Sequence, residues 1–341
     1  MNILILDDYQ DAVRKLQCAS KLDNYSAKVH TNTVKGLGQL AVRLRDAEVI
    51  VLIRARTSIS AQLIEKLPKL KLIVQTGPIG PHLDVAACTA RGIAVAAGGG
   101  NPRAAAEFAF ALMMASMRRL PQYISNLKHG IWQQSGLKAA SMPTNFGLGE
   151  LLHGKTLGIW GYGEIGKLMA GYARAFGMQV HIWGRAQSLE AAAADGYAMF
   201  ESKEELFSQS DVLSIHLRST PETKGIVKLA DLSRMKPTAL LLNTACAELI
   251  ETDALLIALN KGRPGLAAID VFDTEPILQG QTLLRAENCI CTPHIAYVEK
   301  SNYENYFSLA FDSAVSFIEG KPINIVNPYY VQQIKQPKLK F

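Results

Sequence analysis

Apolar and polar positions alternate along the first hundred residues in the way that strands and helices do. Aliphatic runs occupy residues 2–6, 46–54, 70–77 and 92–100, and a short helical pattern at residues 60–68 separates two of them. Strands separated by helices are typical of a parallel sheet that is covered by crossover connections. This part of the chain therefore predicts one α/β unit.

The following segment departs from this pattern. An Ala-rich stretch over residues 102–120 predicts a long helix, since Pro102 suits its first turn and the pair Arg118 and Arg119 suits its last. Residues 121–153 show only weak periodicity and predict an irregular arm.

A second strand and helix pattern begins at residue 155 and predicts another parallel sheet. Its later apolar segments, residues 211–217, 239–245, 265–272 and 287–296, each run into polar residues. The carboxyl ends of parallel strands form the ligand edge of such a sheet. The residues expected at that edge are His216, Arg218, Cys246, Asp270 and His294.

Length and composition narrow the class of protein. The chain has 341 residues, of which 48% are hydrophobic and 19% charged. This is a well-foldable soluble composition, and the length suggests two domains. No apolar stretch approaches the roughly 20 residues that cross a bilayer, and no basic segment precedes the first apolar run. We therefore expect no membrane association and no signal peptide.

Cysteine usage and charge bear on location and partners. The five cysteines show no metal-like clustering, so no metal is predicted and a reduced cytoplasm is the simplest setting. Cys289 and Cys291 would point the same way from one strand, and the favoured interpretation is two buried core thiols. The net charge is +6, with one small basic concentration at residues 332–341. Without an aromatic and basic stripe, nucleic acid is not favoured, and a mild positive field suits small anionic ligands.

Gly161, Gly163 and Gly166 form a G-x-G-x-x-G motif between a predicted strand and a predicted helix. In this context the glycines allow a tight turn, the approach of a pyrophosphate to the backbone, and close helix packing. Amides at the helix N-terminus bind the phosphates, and the Glu164 side chain should face solvent. The helix residues expected to be buried are Leu168, Met169, Tyr172, Ala173 and Phe176.

The end of the next strand indicates which dinucleotide is bound. An acid usually stands there to hold the ribose hydroxyls, but this chain has Gly184, followed by Arg185 and later Ser188. An arginine can pair with a phosphate through two hydrogen bonds. The segment therefore favours NADP over NAD, and the alternative is an ordinary solvated Arg185 with NAD as cofactor.

The segments GYGEIG, DVLSIHLRSTPETKG, MKPTALLLNTA, AAIDVFDTEP and TPHIA together resemble the D-isomer-specific 2-hydroxyacid dehydrogenase family. The resemblance extends from the first strand to about Pro328. It implies two Rossmann-like, doubly wound parallel-sheet domains. A cofactor domain, residues 102–291, would be inserted into a discontinuous, flavodoxin-like substrate domain, residues 1–101 and 292–341. The active site would lie in the cleft between them, and a homodimer would form through the cofactor domain.

The resemblance also implies hydride transfer between a nicotinamide and C2 of a small 2-hydroxy or 2-keto acid. His294 matches the residue that exchanges the hydroxyl proton, and Glu275 matches the acid beside it, which favours the protonated form. Asp270 matches a position near the nicotinamide carboxamide. The positions expected to contact the cofactor are Gly161, Tyr162, Gly163, Glu164, Ile165, Gly166, Gly184, Arg185, His216, Arg218, Thr223, Thr244, Ala245, Asp270 and His294.

The chain departs from the family pattern at the end of the strand at residues 239–245. The family has Arg-Gly where this chain has Cys246 and Ala247, followed by Glu248. A thiol cannot supply the charged, bidentate contact that the family arginine makes with the substrate carboxylate. Cys246 is interpreted as a small filler, with a redox thiol as the alternative.

The glycine loop that holds the carboxylate in the family also differs. Here it includes Gly77, Ile79 and Gly80, and Pro78 has no N–H to donate. The amides of Ile79 and Gly80 remain. We expect Arg54, at the end of a strand, to take part of the anion-binding role, and the alternative is a surface ion pair.

Two classes of function follow. The first is an NAD(P)-dependent oxidoreductase, similar to glyoxylate or hydroxypyruvate reductases, with altered substrate recognition at Cys246. The second is a dinucleotide-binding sensor or scaffold that has weak turnover or none. Cys246 is the feature that separates the two classes.

Overall fold

A computed structural model describes residues 1–137, 142–277 and 280–327 of the chain. Two compact units are present: Met1–Asn101 with the segment that begins at Val298, and Pro102–Tyr297. The expected cofactor domain, residues 102–291, overlaps the second of these units. That the first unit binds the substrate stays a prediction. The basic residues 332–341 lie outside the described residues.

The described part of the chain contains twelve strands and eleven α-helices. The strands are β1 (Asn2–Ile5), β2 (Ser26–Val29), β3 (Val49–Ile53), β4 (Leu72–Thr76), β5 (Ala94–Ala97), β6 (Thr156–Trp160), β7 (Gln179–Trp183), β8 (Ala198–Met199), β9 (Val212–Ile215), β10 (Leu240–Asn243), β11 (Leu266–Ile269) and β12 (Cys289–Cys291). The helices are α1 (Leu37–Leu44), α2 (Ala61–Ile64), α3 (Val85–Ala90), α4 (Pro102–Met117), α5 (Leu120–Lys128), α6 (Glu164–Ala175), α7 (Ala186–Ala194), α8 (Lys203–Gln209), α9 (Leu229–Leu232), α10 (Ala254–Asn260) and α11 (Lys300–Ile318).

The first unit is built on a five-stranded sheet in the order β2-β1-β3-β4-β5, and its neighbouring strands are parallel. This is the strand order of flavodoxin-like folds. Strands β3 and β4 are buried along their whole length, because both faces of a parallel sheet are covered by helices. This explains why their sequences are continuous aliphatic runs.

The second unit is built on a seven-stranded parallel sheet in the order β12-β11-β10-β9-β6-β7-β8. The strand order reverses between β6 and β9, which is the position where dinucleotide-binding sheets hold their ligand. The predicted fold class, two α/β units with parallel sheets, is confirmed. The glycine motif directly follows β6, so the fold places it at this reversal.

Two local predictions are corrected. Residues 120–128 form helix α5, although the segment from residue 121 was expected to be irregular. None of the α5 side chains is buried, and the helix has only nine residues, so its helical spacing is not continued by the rest of the predicted arm. Phe176, expected on the buried face of α6, is 47% exposed, and Ala170 is buried in that face. The reason is that α6 ends at Ala175, so Phe176 follows the last helical turn.

Helix hydropathy bears on membrane association. Within the described ranges, no helix combines the length and the apolar character that crossing a membrane requires.

Candidate active site

The glycine motif after β6 forms a tight turn into α6. Gly161 has a φ of 101°, and a Cβ at this position would lie 2.6 Å from the carbonyl oxygen of His216. A Cβ at Gly166 would overlap the carbonyl oxygen of Gly161. A Cβ at Gly163 would have no heavy atom of the described residues within 4 Å. Close packing at two glycines and open space at the third suit a bound pyrophosphate.

The first turn of α6 supplies the amides for such a group. Lys167 is the first residue whose N–H bonds back into the turn, to the Gly163 carbonyl at 2.9 Å. The N–H groups of Glu164, Ile165 and Gly166 therefore have no partner within the helix and suit an anion. The Glu164 side chain is exposed, as the sequence predicts.

Tyr162, in the middle of the motif, has a buried side chain. Its hydroxyl donates to the Asp195 carboxylate at 2.8 Å, so the side chain is fixed on the protein itself. Burial, together with this hydrogen bond, raises the pKa of Tyr162.

The end of β7 carries the residues that were expected to select the dinucleotide. A Cβ at Gly184 would lie 3.2 Å from the Cβ of Ser188, so an acidic side chain would be crowded here. Arg185 is exposed at the start of α7. Among the described residues, its guanidinium has no hydrogen-bond or ion-pair partner. These features leave Arg185 able to meet an anion.

The end of β9 contributes a neutral histidine. The Nε2 atom of His216 lies 2.8 Å from the Ser214 hydroxyl, and burial lowers the pKa of His216 to about 4. The following loop is held internally, because the Thr223 hydroxyl donates to the Arg218 carbonyl at 2.6 Å and accepts the Thr220 N–H at 2.8 Å. Arg218 itself is exposed.

The end of β10 is shaped by the buried side chain of Asn243. Its amide donates to the Cys246 carbonyl at 2.9 Å, and its side-chain oxygen accepts the N–H of Ala245 at 3.0 Å. These two bonds fold the segment that contains Thr244. The Cys246 side chain is half-buried and packs against the apolar core on one face of the sheet.

The surroundings of this segment are acidic. Glu248 is exposed. Burial raises the pKa of Asp273, and the charges of Glu248 and Asp253 raise it further. Nearby carboxylates therefore repel one another in this region.

His294 and Glu275 form the pair that the sequence predicts. The Nδ1 atom of His294 lies 2.6 Å from a Glu275 carboxylate oxygen, and both side chains are 32% exposed. The other Glu275 oxygen accepts the Phe272 N–H at 2.9 Å. The carboxylate is thus fixed by the backbone and holds the proton on Nδ1, which leaves Nε2 to exchange a proton with a ligand.

Asp270 anchors the segment that carries His294. One of its carboxylate oxygens accepts from the Thr292 hydroxyl at 2.7 Å and the Ile295 N–H at 3.0 Å, and the other accepts the Ala296 N–H at 2.9 Å. Asp270 is fully buried, and this burial raises its pKa despite the hydrogen bonds. The predicted contact of Asp270 with the nicotinamide stays a prediction, and the anchoring role is additional.

In the first unit, the expected anion-binding residues form a compact cluster of their own. Arg54 has a φ of 51°, and its N–H donates to the Thr76 hydroxyl at 3.0 Å. Gly77 has a φ of 79°, and a Cβ there would overlap the Arg54 guanidinium and lie 3.3 Å from the Tyr306 ring. Glycine is therefore required for Arg54 to lie across this turn, which continues to Ile79 and Gly80.

Sequence reasoning missed His82 and Gln75 in this cluster. The Nε2 atom of His82 lies 3.0 Å from the Gln75 side-chain oxygen. Burial, and secondarily the charge of Arg54, lowers the pKa of His82. Neither residue belongs to a sequence motif. Gln75 is one polar position within an otherwise apolar strand, and His82 lies in the loop that follows it.

Comparison with known proteins identifies the family. Residues 110–296 match the family described as D-isomer specific 2-hydroxyacid dehydrogenase, NAD binding domain. The chain belongs to the D-isomer specific 2-hydroxyacid dehydrogenase family. It is accordingly an oxidoreductase, and its second unit carries the binding domain for a nicotinamide dinucleotide.

Curated relatives within this dehydrogenase family differ in name and length. A glyoxylate reductase from Aeropyrum pernix is 35% identical over 82% of both chains. A D-3-phosphoglycerate dehydrogenase from Methanocaldococcus jannaschii is 31% identical over 100% of this chain but only 62% of its own length.

Solved structures show the same dehydrogenase fold. A phosphoglycerate oxidoreductase from Vibrio cholerae is 43% identical, with a TM-score of 0.89 and coverage of 94% and 99%. A protein from Ralstonia solanacearum, provisionally assigned as a D-3-phosphoglycerate dehydrogenase, is 58% identical, with a TM-score of 0.95 and coverage of 97% and 98%.

The anchoring role of Asp270 can be tested by stability. In Asp270→Asn, an amide NH₂ replaces one carboxylate oxygen. A buried N–H or O–H group that donates to Asp270 in the unmodified protein would then have no acceptor. We expect the free energy of unfolding to fall by about 1–3 kcal/mol, measured by urea titration. Asp23→Asn, at an exposed position, is the control and should change it by less than about 0.5 kcal/mol. An unchanged free energy of unfolding in Asp270→Asn would show that these hydrogen bonds do not stabilise the segment that carries His294.

Proposed function

We propose that this dehydrogenase reduces a small 2-keto acid of the glyoxylate or hydroxypyruvate type to the D-2-hydroxy acid, with NADPH as the favoured reductant. The contact between His294 and Glu275 carries the proposal, because a fixed imidazole with one available ring nitrogen suits proton transfer to a carbonyl oxygen. Relatives support the substrate class. They include glyoxylate reductases and a hydroxypyruvate reductase from Blautia hydrogenotrophica that is 31% identical.

When bound, the dinucleotide supplies a hydride for C2 of the keto acid. The chain supplies the proton, which passes from Nε2 of His294 to the oxygen at C2. Glu275 keeps Nδ1 protonated throughout and stabilises the imidazolium that precedes the transfer. The amides of Ile79 and Gly80, together with Arg54, are proposed to bind the substrate carboxylate.

Cys246 weakens the reaction without abolishing it. The family arginine contributes a charge-assisted contact of about 1.5–3 kcal/mol, and a thiol contributes none of this. Because the acid–base pair is complete, a protein that only binds dinucleotide would leave the contact of His294 with Glu275 without a role. We therefore favour catalysis over the sensor or scaffold alternative.

The preference for NADPH rests on the end of β7. Gly184 places no carboxylate beside the ribose, and the exposed Arg185 has no partner among the described residues. Ser188, in the first turn of α7, adds a hydroxyl. A 2′-phosphate would meet a cation, a hydroxyl and a helix N-terminus there.

Cofactor selectivity is the first test of this proposal. We expect NADPH to bind more tightly than NADH. Arg185→Ala should lower the affinity for NADPH by about 10- to 100-fold, which corresponds to the loss of one charged contact. Titration calorimetry with both dinucleotides measures this. Arg234→Ala, at another exposed arginine of the same unit, should leave both affinities unchanged. Equal affinities in the unmodified protein would defeat the proposed preference.

The acid–base pair is tested by His294→Ala. Turnover of hydroxypyruvate should fall by about 100- to 10,000-fold, the usual contribution of a general acid, while NADPH affinity stays nearly constant. The measurement is loss of nicotinamide absorbance together with a binding titration. His153→Ala, at an exposed position, is the control. Unchanged turnover in His294→Ala would exclude this residue from the mechanism.

The role of Cys246 is tested by restoring the guanidinium. Cys246→Arg should raise reduction of a small 2-keto acid tenfold or more, which corresponds to about 1.4 kcal/mol. Ala247 could crowd the turn and Glu248 could pair with the new charge, so the triple change Cys246→Arg, Ala247→Gly and Glu248→Pro is the stricter variant. Background activity in both variants, with NADPH still bound, would argue against the proposed reaction.

We also propose that two copies of the chain associate through α5 and the residues after it. Leu120, Ile124, Leu127, Ile131 and Trp132 are all exposed, and Trp132 is 72% exposed. Their spacing along α5 puts the first three on one face. An exposed apolar stripe of this kind is typical of an interface.

Light scattering after size exclusion tests this association. The unmodified protein should elute as a dimer, and the double change Ile124→Glu with Leu127→Glu should reduce the mass to that of one chain, 37.2 kDa. Val42→Glu is the control, since Val42 is 78% exposed in the other unit. A monomeric unmodified protein would contradict the proposal.

A further inference from the structure

Cys289 and Cys291 lie side by side on β12, the strand at one edge of the seven-stranded sheet. Their sulfur atoms are 3.7 Å apart, and both side chains are half-buried. The Cys291 sulfur also lies 3.8 Å from the Leu283 carbonyl oxygen. The sequence interpretation of two buried core thiols is therefore corrected: this is a thiol pair in contact, with partial access to solvent.

The contact makes the two thiols chemically different. Contact with the Cys289 thiol, in which either sulfur can donate the hydrogen bond, lowers the pKa of Cys291. The same bond, together with burial, raises the pKa of Cys289. The thiolate is the nucleophile in thiol exchange, so Cys291 is the attacking group and Cys289 the resolving group.

Among the residues that the structure describes, no group of three or more His, Cys, Asp or Glu side chains could hold a metal ion. A stable metal site usually needs more ligands than one thiol pair supplies. The pair is therefore better suited to thiol chemistry.

Closing a bond between these sulfurs would distort the strand. Alternate Cα atoms of a parallel strand are roughly 6.6 Å apart, whereas bridged cysteines most often have Cα atoms about 5.5–6 Å apart. The sulfurs must also approach from 3.7 Å to bonding distance. To reach the most common bridged separation, the strand would shorten by roughly 0.6–1.1 Å between Cys289 and Cys291.

The distortion would reach the segment that carries His294. Thr292 directly follows Cys291, and its N–H donates to the Ile269 carbonyl at 2.9 Å while its hydroxyl donates to Asp270 at 2.7 Å. His294 then donates its N–H to the Thr292 carbonyl at 3.0 Å and has a φ of 52°. A strained backbone of this kind depends on its supporting contacts.

We propose that Cys289 and Cys291 form a reversible disulfide, and that its closure displaces the segment Thr292 to Ala296 and lowers the activity that depends on His294. The second half of this inference rests on the proposed function, whereas the first half does not. Cys289 and Cys291 touch no reacting atom in this scheme and act through the position of His294.

The oxidant is a low-molecular-weight disulfide. The Cys291 thiolate attacks one sulfur, forms a mixed disulfide and releases one small thiolate. The Cys289 thiolate then attacks the Cys291 sulfur, forms the internal bond and releases the second small thiolate. Two protein thiols are oxidised, one external disulfide is reduced to two thiols, and an excess of small thiol reverses the sequence.

Intact-protein mass spectrometry tests disulfide formation. After incubation with oxidised glutathione, the mass should fall by about 2 Da, the loss of two hydrogens, and peptide mapping should place the bond between Cys289 and Cys291. Cys289→Ser and Cys291→Ser should each abolish it, while Cys88→Ser, at a buried thiol, should not. Two free thiols, or a mixed disulfide that persists on Cys291, would overturn the proposal.

Hydrogen exchange and turnover test the coupling separately. The amides of Ile295 and Ala296, which donate to Asp270, should exchange faster in the oxidised protein. Turnover of hydroxypyruvate should fall by up to about a hundredfold, as expected for a displacement of roughly 1 Å in a catalytic group, and should recover with dithiothreitol. Unchanged exchange and turnover in the oxidised protein would refute the coupling. Absence of turnover in the reduced protein would instead refute the proposed function and leave the exchange test intact.

Discussion

The hydrogen bonds to the buried carboxylate of Asp270 are the contacts on which the geometry of the candidate site depends. They tie the end of β11 to the segment after β12 through the Thr292 hydroxyl and two backbone amides. A left-handed backbone at a residue other than glycine costs on the order of 1–3 kcal/mol, and His294 has that conformation. Hydrogen bonds to a charged acceptor are worth about 1.5–3 kcal/mol each, so Asp270 can hold His294 where Glu275 meets it.

The ends of the strands in this sheet differ in charge, and the difference bears on function. The end of β7 is cationic, with an exposed Arg185 and no carboxylate at Gly184. Beyond the end of β10, the Cys246 thiol carries no positive charge, and the charges of Glu248 and Asp253 act on Asp273. Under the proposed function, the cationic end of β7 favours a phosphorylated dinucleotide, and Cys246 occupies the position where the resemblance implies a substrate-binding cation.

The sequence predicted those parts of the site whose residues have local signatures. The spacing of Gly161, Gly163 and Gly166 is the one that the turn of a dinucleotide-binding fold requires, and the resemblance alone indicated that His294 and Glu275 would be partners. The anchoring bonds of Asp270 were not predicted, because they join residues that are far apart in sequence and fit no spacing rule.

Three other features of the structure were not predicted, or were predicted only in part, from the sequence pattern. Helix α5 was missed because its apolar stripe of Leu120, Ile124 and Leu127 is short and the residues that follow do not continue its spacing. The contact of His82 with Gln75 links a loop to a strand, which no local pattern records. The Cys289 and Cys291 pair was correctly placed on one face of a strand, but only the edge position of β12 shows that the two thiols are partly accessible.

The most direct test of the account is isotope transfer. Hydroxypyruvate is incubated with NADPH that carries deuterium at both C4 positions of the nicotinamide, and the product is examined by proton NMR and chiral chromatography. If the fixed His294 supports hydride transfer despite the thiol at residue 246, the product is D-glycerate with deuterium at C2. Product without deuterium at C2, L-glycerate, or no product while NADPH remains bound would contradict the account.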